Sequence, residues 1–306
     1  MAKRKKSDGV NEKVAARRAA RKAAQAANAA GGASGADDGG RRAFADLPGE
    51  ADWVAMREVV PAATATARTN AEYGSKDIVV ASLIPGMLPA LHRTDGVIMV
   101  ALQTPSTSGD PSRDVAAALI EILDTEPGTS LDHFELPGPG PRLQDVLDTE
   151  HPFEVTVHEG FDFVVPDGVD PEPELKAALE EFAQLTVPTV KVPGVEAAYW
   201  CRMGAREFLR WSRTEDEEQL LDALARLHAK RESGLDADAR FIGAFRSSGL
   251  VVPVWELARG TEAEEIEDLL GPYQERLVAA LAVDEPLTAD ERRARAGIVS
   301  RQVTLR

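Results

Sequence analysis

Val97-Ile-Met-Val-Ala-Leu102, set between Asp95-Gly96 and Gln103-Thr104-Pro105, is the stretch on which the fold turns. Six apolar residues without a polar interruption are too few for a buried helix, and turn residues bound them on both sides. They predict a strand buried on both faces, central in a sheet. Ile78–Val80 upstream reads as a second strand. Downstream, Asp110 followed by Pro111 is a helix start, with Asp as N-cap and Pro at the first helical position. Val115, Leu119, Ile122 and Leu123 then make the buried stripe of that helix.

Working outward, Trp53, Met56 and Val60 recur at helical spacing until Pro61 ends the run, so folded structure is expected to begin near Phe44. Phe153, Val155 and Val157 alternate, as do Phe161, Phe163 and Val165. That pattern predicts a hairpin closed by His158, Glu159 and Gly160. Asp170-Pro171 repeats the cap-plus-proline device before a helix whose Leu175, Leu179, Phe182 and Leu185 are expected to face a core. Ala197–Met203 and Leu250–Val254 read as strands. Capping boxes are expected at Thr214 with Glu217, Thr261 with Glu264 and Thr288 with Glu291. Behind the first two lie Leu220, Leu224, Leu227 and Ile266, Leu270, Tyr273, Leu277, Leu281.

The predicted class is α+β, mixed sheets with packed helices in one elongated body or two lobes, preceded by a disordered basic tail. The expected divisions are 1–43 for tail and Gly-rich linker, 44–168 and 169–285 for the N- and C-terminal α+β lobes, and 286–306 for a C-terminal helix and tail. Strand, strand, helix recurs over 62–124 and 187–281, but residue identity does not support a duplication.

The chain of 306 residues has a formal net charge of -16. Residues 1–42 hold 11 Lys or Arg against 4 Asp or Glu, a net of +7 that leaves -23 on the rest. An acidic body repels nucleic acid and anionic lipid. Cys201 is the one cysteine, so internal disulfides and thiolate zinc sites are excluded and a reducing, cytoplasmic setting is expected. No apolar run reaches the roughly 20 residues of a membrane span. The basic start lacks the apolar core of a secretory signal.

No phosphate-cradling glycine pattern is present, and the five histidines form neither HExxH nor an i, i+4 pair. His151 and His158, seven apart, would point to opposite faces of a strand. Asp162, Asp167 and Asp170 lack the ligand order of a calcium loop and read as turn and cap residues. No metal and no cofactor are expected. Cys201 alternates with Tyr199 and Met203 and reads as a small buried hydrophobe. Arg206, Phe208, Arg210 and Trp211, with Arg246 ahead of Val251–Trp255, suit either an interface or the edge of a core.

The candidate site lies in the tail. Lys13, Arg17 and Arg21 fall at i, i+4 and i+8 with Arg18 and Lys22 on the next row, and Lys3, Arg4, Lys5 and Lys6 precede them. Folded as a helix on ribosomal RNA or another nucleic acid, this stripe would neutralise phosphates. The plainer alternative is a solvated tail that aids solubility or touches the acidic body.

Pro48–Pro61 (PGEADWVAMREVVP), the central DGVIMVALQT and the later FIGAFRSSGLVVPVWEL resemble segments of a domain-of-unknown-function family of high-GC Gram-positive bacteria, over roughly residues 44–285. The resemblance implies no activity and no site residues. The expected function is a non-enzymatic cytoplasmic interaction protein with a protein partner and a tail that contacts ribosome or nucleic acid. The rival is an enzyme with its site in a cleft between the lobes.

Overall fold

The structure, a computed structural model, describes residues 42–104, 107–131, 138–184 and 186–301. Its architecture is α+β, built on two sheets. The first half supplies α1 (Glu50–Glu58), β1 (Ala63–Arg68), β2 (Asp77–Ala81), β3 (Ala90–His92), β4 (Ile98–Ala101), α2 (Pro111–Leu123), β5 (Thr129–Ser130), α3 (Leu143–Val146) and β6 (Val155–Val157). Six strands run in the order β5-β3-β4-β2-β1-β6. β4 is interior, parallel to β2 and antiparallel to β3, and all four of its residues are buried. A strand enclosed on both faces has no use for polar alternation, which is why the run at 97–102 is unbroken. α2 starts as its sequence predicts, with the Asp110 carboxylate accepting the Arg113 N–H.

The second half supplies α4 (Pro173–Ala183), β7 (Thr189–Lys191), β8 (Ala198–Met203), β9 (Arg206–Trp211), α5 (Glu217–Ala229), β10 (Arg240–Ser247), β11 (Leu250–Glu256), α6 (Ala263–Leu281) and α7 (Ala289–Arg301). Its five strands, all antiparallel, run β10-β11-β9-β8-β7. Strand alternation sends Tyr199, Val252 and Val254 into a core shared with Trp53, Met56, Val100 and Leu119. Trp200, Trp211, Val251 and Trp255 go the other way, against Leu220 and Leu224 of α5, Ile266 and Tyr273 of α6, and Ile298 of α7. The second sheet is thus covered on both faces, one by α1 and the core it shares with the first half, the other by helices.

Three local expectations are corrected. The hairpin at 153–165 does not form: β6 pairs instead with β1, in the register Ala63↔Val157 to Ala65↔Val155. Phe161–Val165 holds a 3-10 turn, Asp162–Val164. Its alternation comes from packing on Ala62, Leu83 and Leu179, not from a pleat. His158 is therefore no turn residue; its N–H donates to the Ala62 carbonyl, extending the pairing. Two caps also shift. Asp216 caps α5 by accepting the Gln219 N–H, and the box on α6 is Glu262 with Glu265, whereas Thr288 and Glu291 pair reciprocally as expected. Finally α4 begins at Pro173, with Glu172 as N-cap, and its Leu175 is 42% exposed where Leu179 is 3%.

One turn sets a sharp steric test. A Cβ on Gly234 would lie 2.7 Å from both the Asp236 and Ala239 carbonyl oxygens. Arg276 fixes this loop by donating to the Gly234 and Leu235 carbonyls, so the backbone has little room to yield. Gly234→Ala is expected to destabilise by about 1 to 3 kcal/mol, read as a lower denaturation midpoint at unchanged slope.

Candidate functional site

α1 carries its apolar residues inward, yet Asp52 in its first turn is only 4% exposed. A carboxylate gains there from the positive end of the helix dipole, but burial demands direct partners. The second sheet provides two. Lys191 and Tyr199 stand opposite each other in the β7–β8 register, so both side chains leave the same face, toward α1. Tyr199 donates its hydroxyl to Asp52 Oδ1 at 2.6 Å, and Lys191 donates Nζ to Oδ2 at 2.8 Å. Burial, with the Asp52 charge beside it, pushes the Tyr199 phenol well above its ordinary range.

Further charges surround this junction. The Arg42 guanidinium forks onto Glu50, with Nε at 2.7 Å from Oε1. Arg213 lies over the Trp211 ring at 4.7 Å and donates to Gln274 Oε1 at 2.7 Å and Glu215 Oε2 at 3.0 Å. Burial alone would raise the Glu215 carboxyl, but the Arg213 hydrogen bond and charge hold it below the usual carboxylate range. Glu196 goes the other way, raised by desolvation and then by the like charge of Asp52. Both oxygens of Asp52 are engaged within the fold. The junction therefore fastens α1 to the second sheet and offers no reacting group a place at Asp52.

Beyond it, Glu207 at 4% exposure accepts the Gly260 N–H at 3.1 Å and Arg202 Nε at 2.9 Å. Those bonds, the Gly260 amide first, hold its carboxyl below its ordinary value. A depressed folded-state pKa contributes stability above the unfolded value, near 4.3, that is lost as pH falls through the folded one. Glu207→Gln should therefore flatten the acid limb of a stability-against-pH curve while leaving its shape near neutrality alone. Parallel acid limbs for the two proteins would contradict this.

A concavity of about 740 Å³ lies at the end of α5, lined by His228, Arg231, Ser233, Asp236, Arg240 and Phe241 among others. His228 Nδ1 is 2.9 Å from Ser233 Oγ, and Trp255 Nε1 donates to the Ser233 carbonyl. Arg240 is tied to Glu256 at 2.5 Å. This is a braced loop at a helix end; among the described residues no group of three His, Cys, Asp or Glu is placed to hold a metal ion.

The tail residues Lys3, Arg4, Lys5, Lys6, Lys13, Arg17, Arg18, Arg21 and Lys22 lie outside the described residues. Cys201 is fully buried and its thiol is pushed up by burial, as a small hydrophobe should be. His151 and His158 are not brought together: one bonds the Pro152 carbonyl, the other Thr64 Oγ1 at 2.8 Å. Trp211 and Trp255 belong to the core, while Arg206 and Arg246 pair with Glu256 and Glu217. The Asp52 junction escaped sequence reasoning because its partners lie 139 and 147 residues away. Its one local signal is an acid inside an apolar run.

On the outside, Val169, Leu175, Val190 and Val278 are exposed at 55, 42, 41 and 52%. Glu264, Glu267, Asp268 and Glu275 line the outer face of α6 beside Val278, and none of them forms an ion pair among the described residues. No helix among the described residues is long and apolar enough to cross a membrane. A model described as a family of unknown function, DUF5926, matches residues 43–306, and neither a curated protein nor a solved structure matches the chain.

Proposed function

The chain belongs to the DUF5926 family of unknown function, and we propose that it is a non-catalytic cytoplasmic binding module. Its acidic body docks a polypeptide partner, and the basic residues of 1–42 add attachment to the ribosome or another polyanion. The observation that carries this reading is the inversion of roles between inside and outside. Inside, the carboxylate at the junction is consumed by Lys191 and Tyr199. Outside, large apolar side chains stand exposed on a body of net charge -23. Apolar contact surface with a charged margin is the anatomy of a protein interface.

The experiment is capture from native lysate with the full chain and with a chain lacking residues 1–41, which keeps the Arg42–Glu50 pair of the body. A polypeptide retained by both, and rebinding stoichiometrically once purified, is the expected result for the body. Loss of ribosome or nucleic-acid co-sedimentation at low salt in the shortened chain alone is expected for the tail. Absence of any stoichiometric polypeptide contradicts the first part, and unchanged co-sedimentation contradicts the second. The rival enzymatic reading has one support, the raised carboxyl of Glu196 near Asp52. It requires a turnover that Glu196→Gln abolishes without loss of stability.

A further inference from the structure

We infer that α4 is a strap that lifts off its seat as a unit while the sheets and the other helices stay folded, by turns hiding and uncovering Ala62, Leu83 and Phe161. A helix of 11 residues is marginal by itself and depends on the apolar face it buries. α4 buries little. Of its described side chains Leu179 alone is buried, with Phe182 half-buried, and Glu172 gives the first turn no side-chain cap. No side chain of α4 forms a hydrogen bond or an ion pair among the described residues. α5, with 13 residues, buries seven of them, Leu220, Leu221, Leu224 and Leu227 included.

The seat is a small cluster apart from both main cores, in which Leu179 and Phe182 of α4 join Ala62, Leu83 and Phe161. The Phe182 ring meets Phe161 edge-on at 6.0 Å. The seat itself is clamped: Arg93, just after β3, donates Nη1 to the Phe163 carbonyl at 2.7 Å and to the Val165 carbonyl at 3.3 Å. α4 has no such clamp. The chain that leads to it carries Gly168 at φ 73° and a local turn bond from the Val169 N–H to the Pro166 carbonyl, a segment able to absorb a change of backbone angles. Lifting α4 therefore breaks few apolar contacts and no polar ones, so it lies well below global unfolding in free energy.

Native-state amide hydrogen exchange on the full chain tests this. Protection of about a hundredfold or less is expected at residues 178–183, against at least about ten-thousandfold at residues 220–227 of α5. Low denaturant should reduce protection across 178–183 with one common slope, the mark of a unit opening together. Phe182→Ala should lower that protection about tenfold further and leave the global midpoint alone, whereas Leu224→Ala should lower the midpoint and leave 178–183 alone. A crosslink supplies the converse. A Cβ on Gly160 would lie 3.4 Å from the Ala183 Cβ, close to the roughly 3.5 to 4.5 Å of a disulfide, and Cys201 is buried out of the way. Gly160→Cys with Ala183→Cys, once oxidised, should raise protection at 178–183 at least about tenfold, and reduction should reverse the gain. Equal protection of α4 and α5, exchange at 178–183 indifferent to denaturant, a midpoint that falls with Phe182→Ala, or thiols that do not join would each overturn the proposal.

Discussion

Trp53→Ala is expected to destabilise the protein by about 3 to 5 kcal/mol, the range for emptying a large aromatic from a packed core. The ring is 1% exposed and stacks on Phe44 at 5.6 Å and on Phe153 at 4.1 Å, with interplanar angles of 23° and 16°. Its Nε1 donates to the Pro48 carbonyl at 3.1 Å. Phe44 belongs to the segment before α1 and Phe153 to the segment before β6, so one side chain ties three stretches of chain. Trp53→Phe keeps part of the stack and loses the indole donor, and should fall between the two. Chemical denaturation reads both, and a loss below about 1 kcal/mol for the alanine variant would contradict the packing described.

Asp52→Ala should cost about 2 to 4 kcal/mol. Removing the carboxylate strands the buried Tyr199 hydroxyl, and an unsatisfied buried donor costs about 1 to 3 kcal/mol. Lys191 adds less, because its side chain is 30% exposed and can turn to water. The double variant Asp52→Ala with Tyr199→Phe should recover part of the loss, since it removes both ends of the bond. Asp52→Asn, which keeps an acceptor for the hydroxyl, should lie closer to the natural protein. A double variant no more stable than Asp52→Ala would contradict the view of the junction as a fastener.

Much of the fold was written locally. The run at 97–102 is interior to its sheet because apolar residues on both faces leave no solvated side. The stripes of α5 and α6 are buried where helical periodicity puts them. The hairpin at 153–165 was misread because alternation reports burial on alternate residues, and a 3-10 turn with Phe161 and Phe163 packed beneath α4 mimics it. The site was less legible. Asp52, Lys191 and Tyr199 acquire meaning only when α1 lies across β7 and β8, a contact with no trace in spacing or composition. The exposure of Leu175 was hidden for the opposite reason: it has the right period for a core, and periodicity cannot say how far along a helix the cover extends.

The central claim is that the body presents an apolar, acidic surface to a polypeptide. Isothermal titration of the full chain with the purified polypeptide it captures, across temperature and salt, tests this most directly. The account predicts saturable binding with a negative heat-capacity change, the mark of apolar burial, and an affinity that falls with salt. Saturable binding without a heat-capacity change, or with an affinity indifferent to salt, would contradict it.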